Sequence, residues 1–228
     1  MLFRDRYDAG RVLASHLAGY LARPDVLVLA LPRGGVPVAY EIALALHAPL
    51  DVVVVRKLGT PGHEELAMGA VARGVRIVND AVVRDMHISP TALERVIAHE
   101  QAIVDWQETE LRGNLPPVPV SGRSVILVDD GLATGSSMQA ALAATRAQQP
   151  GALIIAVPVA SREAFETVRR EATDAICVNQ PEEFYGVCRW YRDFSQVSDE
   201  RVRELLALSR AALTGGVAPT DDAAQSHN

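Results

Sequence analysis

Short runs of apolar and β-branched residues alternate along the chain with segments of helical periodicity, and this alternation limits the fold more than any other feature. Four runs predict strands, at Asp25 to Leu31, Asp51 to Leu58, Ser124 to Asp130 and Ala152 to Ala160. Nearly continuous apolar runs are typical of parallel strands that are buried on both faces. The sequence therefore predicts an α/β fold with a central, mostly parallel sheet flanked by helices.

Weaker strand patterns occur at residues 75–79 and 174–179, and helical patterns fill most of the intervals between the predicted strands. Helices are predicted to begin near Arg6, Val36, Ser89, Ser136 and Glu163, and a further helix is predicted from Asp199 to Ala212. The segment from Thr91 to Leu111 has apolar residues at helical spacing and no breaker, so we expect one long amphipathic helix there. We expect a single domain over residues 1–212 with its core at about 25–160. Residues 213–228 mix Gly, Pro, Asp and Ser without periodicity, which predicts a disordered tail.

Composition removes several classes of function. The 228 residues are 49% hydrophobic and 22% charged, as in an ordinary soluble globular chain. The net charge of −6 and the lack of a basic stripe argue against a nucleic-acid partner. The two cysteines, Cys177 and Cys188, show neither a CxxC pair nor a metal-ligand spacing, which fits a reducing cytosol. The longest apolar run is too short to span a bilayer, so we expect a cytoplasmic protein without a membrane partner.

The stretch VILVDDGLATGSS, Val125 to Ser137, predicts a ligand site. A buried strand ends at Asp129 and Asp130, and a helix begins after a loop of small residues. In open α/β sheets ligands bind at the carboxyl ends of strands, where the next helix offers free N–H groups to an anion. The small loop residues leave room for a phosphate and the hydroxyl residues can donate to it, whereas the carboxylates suit sugar hydroxyls or waters on magnesium. A 5-phosphorylated ribose satisfies both requirements.

Three segments resemble motifs of the type I phosphoribosyltransferases. Val125 to Ser137 is similar to the signature that binds phosphoribosyl pyrophosphate (PRPP), and Ala30 to Ala39 resembles the pyrophosphate loop, with Gly34 and Gly35 allowing an unusual turn. Residues 56–71 resemble the strand end and mobile flap that closes over PRPP. The resemblance spans most of residues 25–160, and residues 184–200 look like those of a subgroup with no assigned acceptor.

The resemblance implies a type I phosphoribosyltransferase fold with a variable hood, built from the N- and C-terminal segments, and an added long helix. It implies transfer of the 5-phosphoribosyl group from PRPP, with Mg²⁺, to a small-molecule acceptor such as a nucleobase, and release of pyrophosphate. The residues it assigns to catalysis are Asp129, Asp130, Lys57 and Arg33, of which the two aspartates also hold Mg²⁺ indirectly through PRPP. The residues it assigns to substrate binding are Gly34, Gly35, Arg56, Gly131, Leu132, Ala133, Thr134, Gly135, Ser136 and Ser137.

Several alternatives stay open from the sequence. The pocket could belong to a non-catalytic PRPP or nucleotide sensor, or to an enzyme that hydrolyses or phosphorolyses another phosphorylated ribose. The long helix could shield the site or form the face of a homodimer. Residues 60–68 are expected to be mobile without ligand, and His63 to Glu65 are expected to lie in a loop on the flap surface rather than at a metal. A concentration of rings near the C-terminus could stack on a base, although packing is the more ordinary role: Phe184, Tyr185, Trp190, Tyr191 and Phe194.

Overall fold

The central layer of the protein is a parallel sheet. A computed structural model describes residues 1–113 and 115–214. The sheet contains five strands: β1 (Val26–Ala30), β2 (Leu50–Val52), β6 (Ser124–Val128), β7 (Ala152–Val159) and β8 (Asp174–Asn179). Their order across the sheet is β2-β1-β6-β7-β8, and every neighbouring pair is parallel. The predicted α/β fold with a parallel sheet is confirmed.

A second, antiparallel sheet of three strands follows β2 in the chain. It consists of β3 (Val55–Thr60), β4 (His63–Ala72) and β5 (Val75–Val78), in the order β3-β4-β5. The predicted single strand from Asp51 to Leu58 is therefore wrong, because the chain leaves one sheet at Val52 and joins the other at Val55. A continuous run of valines carries no signal for this change, since the partner of a strand is chosen by non-local packing.

Seven α-helices lie among the described residues. They are α1 (Arg6–Ser15), α2 (Gly35–Leu46), α3 (Asp80–Asp85), α4 (Pro90–Arg112), α5 (Ser136–Arg146), α6 (Arg162–Arg169) and α7 (Asp199–Thr214). All six predicted helices are present, and the short α3 is an addition. The Ser89 hydroxyl accepts the N–H of Ala92 at 3.2 Å and Pro90 opens the first turn, which fixes the start of the long α4. None of these helices is long and apolar enough to cross a bilayer.

The helices cover both faces of the parallel sheet because successive strand residues point to opposite sides. Val28 and Ile126 join one hydrophobic cluster with α1, α2, α4 and α7. Leu27 and Leu127 join the other cluster, with α5 and α6. Because β1, β2 and β6 are parallel, the loops that follow them emerge together at the carboxyl edge of the sheet. The loops after β1 and β6 carry predicted site residues.

A buried charge network holds the C-terminal end of α4 against the edge of the parallel sheet. The guanidinium of Arg112 donates to Oδ1 of Asp51 at 2.7 Å and to the carbonyl of Val52 at 2.7 Å, and it also contacts the Glu108 carboxylate. The side chains of Arg112, Asp51 and Glu108 are 6%, 1% and 3% exposed. Burying one of these charges alone would be costly, so the network specifies where α4 docks on β2.

The predicted tail begins within a helix. Residues 213 and 214 form the last positions of α7. The rest of the predicted tail, residues 215–228, lies outside the described residues.

Candidate active site

The loop after β1 and the acidic pair after β6 are in direct contact. A Cβ atom on Gly34 would lie 2.1 Å from Oδ2 of Asp130, and one on Gly35 would lie 2.7 Å from the carbonyl oxygen of Val128. The two glycines therefore permit an approach that any side chain would block. The peptide bond between Pro32 and Arg33 is cis. The tertiary structure thus brings together two motifs that the sequence predicted to act on one ligand.

The two aspartates lie in different surroundings. Oδ2 of Asp130 accepts a hydrogen bond from Nε of Arg6 at 2.8 Å, and the Tyr191 hydroxyl donates to the Asp130 carbonyl at 2.6 Å. Asp129 lines the cleft described below, and its Oδ1 accepts the N–H of Asp130 at 2.8 Å. Asp130 is therefore tied to the N-terminal helix, whereas Asp129 is the member of the pair that faces the cleft.

Burial dominates the titration of both carboxyl groups. Burial, and then the negative charge of Asp130, raise the pKa of Asp129 well above its usual range. Burial also raises the pKa of Asp130, against the opposing effect of its hydrogen bond and charge interaction with Arg6. A buried carboxylate becomes more acidic when a cation or a hydroxyl donor is placed beside it. The pair is therefore suited to receive such groups from a ligand.

A cleft of about 470 Å³ opens beside Asp129. Its lining includes Arg33, which pairs with Asp199 at 3.4 Å, and Arg56, which pairs with Glu100 of α4. The side chains of these two arginines are still 57% and 40% exposed, so both guanidinium groups can reach a ligand. The remaining lining residues are Leu31, Pro32, Val53, Val54, Val55, Trp106, Gln107, Glu110, Leu111, Ser137 and Asp199.

Lys57 is placed differently from its neighbour Arg56. Adjacent residues of a strand point to opposite faces, and the side chain of Lys57 is exposed to solvent and does not line the cleft. In this conformation the two basic residues that resemble the family motif are not brought together. The catalytic role of Lys57 stays a prediction.

The loop between β6 and α5 has the architecture of an anion site. Leu132 is buried and its N–H donates to the Val159 carbonyl at 2.9 Å, which anchors the first half of the loop to β7. The first N–H groups of α5 have no intrahelical acceptors, and Gly135, with a φ of +75°, gives them no side-chain cap. The N–H of Ser136 makes a long contact of 3.4 Å with the Thr134 hydroxyl. The exposed part of the loop consists of Ala133, Thr134 and Ser137, with Ser136 half-buried and Gly131 buried against Val187.

The carboxylates of the site decide whether it can hold the expected Mg²⁺. Among the described residues, no group of three or more His, Cys, Asp or Glu side chains could hold a metal ion by itself. Mg²⁺ is commonly held by one or two carboxylates together with substrate phosphates, and the cleft-facing carboxylate of Asp129 fits that arrangement. The residues present therefore suit a magnesium ion that arrives with a phosphorylated ligand.

The predicted flap is a β-hairpin. His63, Glu64 and Glu65 form the exposed start of β4, so the loop predicted for them is wrong. The hydroxyl of Thr60 donates to the Leu66 carbonyl at 2.8 Å and holds the turn closed across register shifts in the β3–β4 pairing. A short segment rich in charged residues lacks the apolar alternation by which strands are predicted, and here the partner strand supplies the order. The mobility predicted for residues 60–68 stays a prediction.

The aromatic residues near the C-terminus pack mainly on the N-terminal segment. Tyr191 is 6% exposed, with its ring centroid 5.6 Å from that of Phe3 and 5.1 Å from that of Phe194. The guanidinium carbon of Arg6 lies 3.8 Å from the centroid of Phe194. None of the five predicted rings lines the cleft beside Asp129.

Sequence reasoning missed two contributions to the site. Arg6 lies 124 residues from Asp130 in the chain, and no local pattern marks it as a partner. Trp106, Gln107 and Glu110 bring the long helix α4 into the cleft wall. A tryptophan on the polar face of an amphipathic helix was an available signal for this, since tryptophan is enriched at binding surfaces.

Comparisons with known proteins agree with this geometry. The family model of the phosphoribosyl transferase domain matches residues 4–192. A protein of Mycobacterium tuberculosis strain H37Rv, named "putative phosphoribosyl transferase", is 43% identical over 202 residues, which cover 88% of this chain and 45% of that protein. A protein of strain CDC 1551 with the same description gives the same values. The chain thus spans about half the length of the curated relatives it matches.

A solved structure shares the architecture closely. The crystal structure of the protein TT1426 from Thermus thermophilus is similar with a TM-score of 0.83 and 41% sequence identity, and the match covers 90% of this chain and 98% of that chain. The family model matches most of the chain, and two paired loops lie at the carboxyl edge of a parallel sheet. The chain therefore belongs to the phosphoribosyl transferase domain family.

Proposed function

We propose that the chain is a phosphoribosyltransferase that uses PRPP and Mg²⁺ to transfer the 5-phosphoribosyl group to a small-molecule acceptor. The observation that carries the proposal is the contact between Gly34 and Asp130, which joins the pyrophosphate loop to the acidic pair. This contact lies beside a cleft that Arg33, Asp129 and Ser137 also line. Groups suited to pyrophosphate, to ribose hydroxyls and to a 5-phosphate therefore converge on one space.

The reaction breaks the bond between C1 of the ribose and the pyrophosphate oxygen, and the electron pair leaves with pyrophosphate. A lone pair of the acceptor forms the new bond to C1, and the acceptor loses a proton to solvent or to a base. Positive charge develops on the ribose and negative charge on the pyrophosphate as in glycoside cleavage, so both charges need preorganised partners. The guanidinium groups of Arg33 and Arg56 would contact the leaving pyrophosphate. When bound, Mg²⁺ would supply further neutralisation of the phosphate oxygens.

The aspartates divide the work on the ribose. Asp129 faces the cleft and would accept from a ribose hydroxyl or from water on the metal. Such a donor stabilises the carboxylate and so opposes the effect of burial, which raises the pKa of Asp129. Asp130, held by Arg6, would position the acidic pair against the loop at Gly34. Both carboxylates would stabilise the positive charge that develops on the ribose as the bond to pyrophosphate stretches.

The 5-phosphate would bind in the loop from Gly131 to Ser137, at the N-terminal end of α5. Hydroxyl groups of Thr134, Ser136 and Ser137 add donors to the helix N–H groups. This anchor is remote from C1, so its binding energy can orient the reacting bond and support closure of the β3–β4 hairpin, including Lys57, over the ligand.

Two other functions use the same groups. A PRPP or nucleotide sensor needs the phosphate loop but gains little from arginines at the leaving group, and the exposure of Arg33 and Arg56 in the cleft favours the enzyme. Hydrolysis or phosphorolysis of another phosphorylated ribose would replace the acceptor by water or phosphate. We place the reaction in the cytoplasm, because Cys177 and Cys188 are free thiols.

Titration calorimetry with PRPP and magnesium, followed by phosphorus NMR with a panel of nucleobases, tests the proposal. Binding with pyrophosphate release that depends on one added base supports the transferase. Binding without release supports the sensor, release without any base supports hydrolysis, and absence of binding refutes a PRPP site. Asp129→Asn should bind PRPP without magnesium about as well as the wild type and lose magnesium-dependent turnover. Asp105→Asn, an exposed position on α4, is the matched control and should keep it.

A further inference from the structure

We propose that Trp106 and Gln107 of α4 recognise the acceptor, as a planar heterocycle that stacks on the indole and presents its polar edge to the amide. The inference rests on the proposed phosphoribosyl transfer. It assigns the choice of acceptor to the long helix α4 rather than to the aromatic segment near the C-terminus.

The cleft has a wall that the phosphate-binding groups do not use. Arg33, Asp129 and Ser137 belong to the segments at the carboxyl edge of the sheet. A separate stretch of the lining comes from α4, as Trp106, Gln107, Glu110 and Leu111. Positions three and four apart lie on one side of a helix, so these residues form a continuous strip rather than isolated contacts. A ligand whose phosphates occupy the loops would therefore meet this strip with its remaining part.

Trp106 has the exposure expected of a stacking surface. Its side chain is 61% exposed, whereas the apolar residues of α4 at Val104 and Leu111 are 0% and 3% exposed. A tryptophan left in water gives up the stabilisation that burial would bring, and so its position is not explained by packing. In the cleft it offers a broad π-face within the space that lies beside Asp129.

Gln107 supplies the polar contact. Its side chain is half-buried and lines the cleft next to Trp106. An amide carries both a donor and an acceptor, which matches a ring edge that presents an acceptor next to an N–H. The nearby Glu110 is already occupied in part, since Arg203 lies 3.7 Å from its carboxylate. The α4 wall therefore favours a ligand whose ring edge is polar and neutral over a ligand whose ring edge is charged.

The other aromatic candidates are engaged elsewhere. Tyr191 is buried against Phe3, and the ring of Phe194 is covered by the Arg6 guanidinium. Tyr185 is 75% exposed but does not line the cleft. Among the described lining residues, Trp106 is the one aromatic side chain.

The α4 wall is also rigidly placed. The buried contacts of Arg112 with Asp51, Glu108 and the Val52 carbonyl fix α4 one to two turns beyond Trp106. Arg56 adds a contact to Glu100 on the preceding turns. A surface that is already ordered loses little entropy when a ring binds to it.

The test compares ribose 5-phosphate with the nucleoside 5′-monophosphates AMP, GMP, UMP and CMP, by calorimetry. The base increment is the ratio of a monophosphate's affinity to that of ribose 5-phosphate. We expect at least one monophosphate to show an increment in the wild type, and Trp106→Ala to reduce it about 5- to 150-fold, which is the range for base stacking on an aromatic side chain. The affinity for ribose 5-phosphate itself should stay within about twofold, because its groups bind at the loops. Gln107→Leu should change the ranking of the four bases.

Two control variants separate stacking from structural effects. Trp106→Phe keeps a ring and should retain most of the increment, and Tyr185→Ala removes an exposed ring outside the cleft and should change nothing. An increment that survives Trp106→Ala overturns the inference. The inference is also overturned if the wild type binds ribose 5-phosphate but no base increases its affinity. The phosphoribosyl site would still stand in that case. Failure of the wild type to bind ribose 5-phosphate refutes the proposed function itself, and with it the inference.

Discussion

The ion pair between Arg6 and Asp130 offers the sharpest test of how the site is held together. The side chains of Arg6 and Asp130 are 10% and 15% exposed, with Nε and Oδ2 separated by 2.8 Å. Arg6 also donates from Nη1 to the Ser195 carbonyl at 2.8 Å and lies over the ring of Phe194. Arg6→Met replaces the guanidinium over Phe194 by an apolar group and removes the charge. It leaves Asp130 as a nearly buried carboxylate without its cation.

The expected cost follows from that burial. Removing one partner of a buried ion pair costs about 3 to 5 kcal/mol, and we expect about 3 kcal/mol here because Asp130 keeps some contact with solvent. Asp130→Asn, made alone, leaves the Arg6 charge without its partner and should also destabilise. The double variant restores a neutral pair, so the two costs should not add, and the coupling should be about 2 kcal/mol. Urea unfolding followed by circular dichroism measures all four proteins.

The pH dependence separates an electrostatic effect from a packing effect. Burial holds the pKa of Asp130 above its usual value, against the opposing effect of Arg6, so Arg6→Met should raise it further. A carboxyl group whose folded pKa exceeds its unfolded value stabilises the protein below the unfolded pKa, and this contribution is lost as pH rises through the folded pKa. The deficit of Arg6→Met should therefore be small near pH 4 and grow toward pH 7.5. A deficit that is equal at both pH values, or below about 1 kcal/mol at pH 7.5, refutes the reasoning.

Three further predictions concern other parts of the site. Gly135→Val should cost about 1 to 3 kcal/mol, because β-branched residues are strained at a φ of +75°, and should abolish ribose 5-phosphate binding in calorimetry; Gly135→Ala, the smaller change, should do less. Glu108→Gln should lower stability by about 2 kcal/mol in urea unfolding, because it removes a charged acceptor from buried Arg112, and unchanged stability would contradict the anchoring role of this network. Lys57→Ala should lower kcat with little change in KM if the hairpin closes during turnover, while Arg84→Ala, an exposed arginine on α3, should leave both unchanged; a change in KM alone would make Lys57 a steering charge.

Most of the secondary structure could be predicted from the sequence because its signals are local. The long α4 was predicted from its apolar periodicity, and Ser89 with Pro90 marks its start in both the sequence and the structure. Among the strands, the exceptions are the division of the predicted strand at 51–58 into β2 and β3, and the strand β4 in the predicted flap. In both places the order comes from a partner strand rather than from the segment itself, and a single segment cannot encode which partner it meets.

The candidate site shows the same division. The sequence alone determined that an acidic pair and a loop of small residues follow a buried strand, because backbone geometry and phosphate binding restrict residue types locally. Tertiary structure alone decided that Asp130 is held by Arg6 whereas Asp129 faces the cleft, and that Arg56 reaches the cleft but Lys57 does not. It also decided that Trp106 forms part of the wall, through the docking of α4 on the sheet edge. These placements depend on contacts between residues far apart in the chain, and packing and charge burial select them only once the whole core has formed.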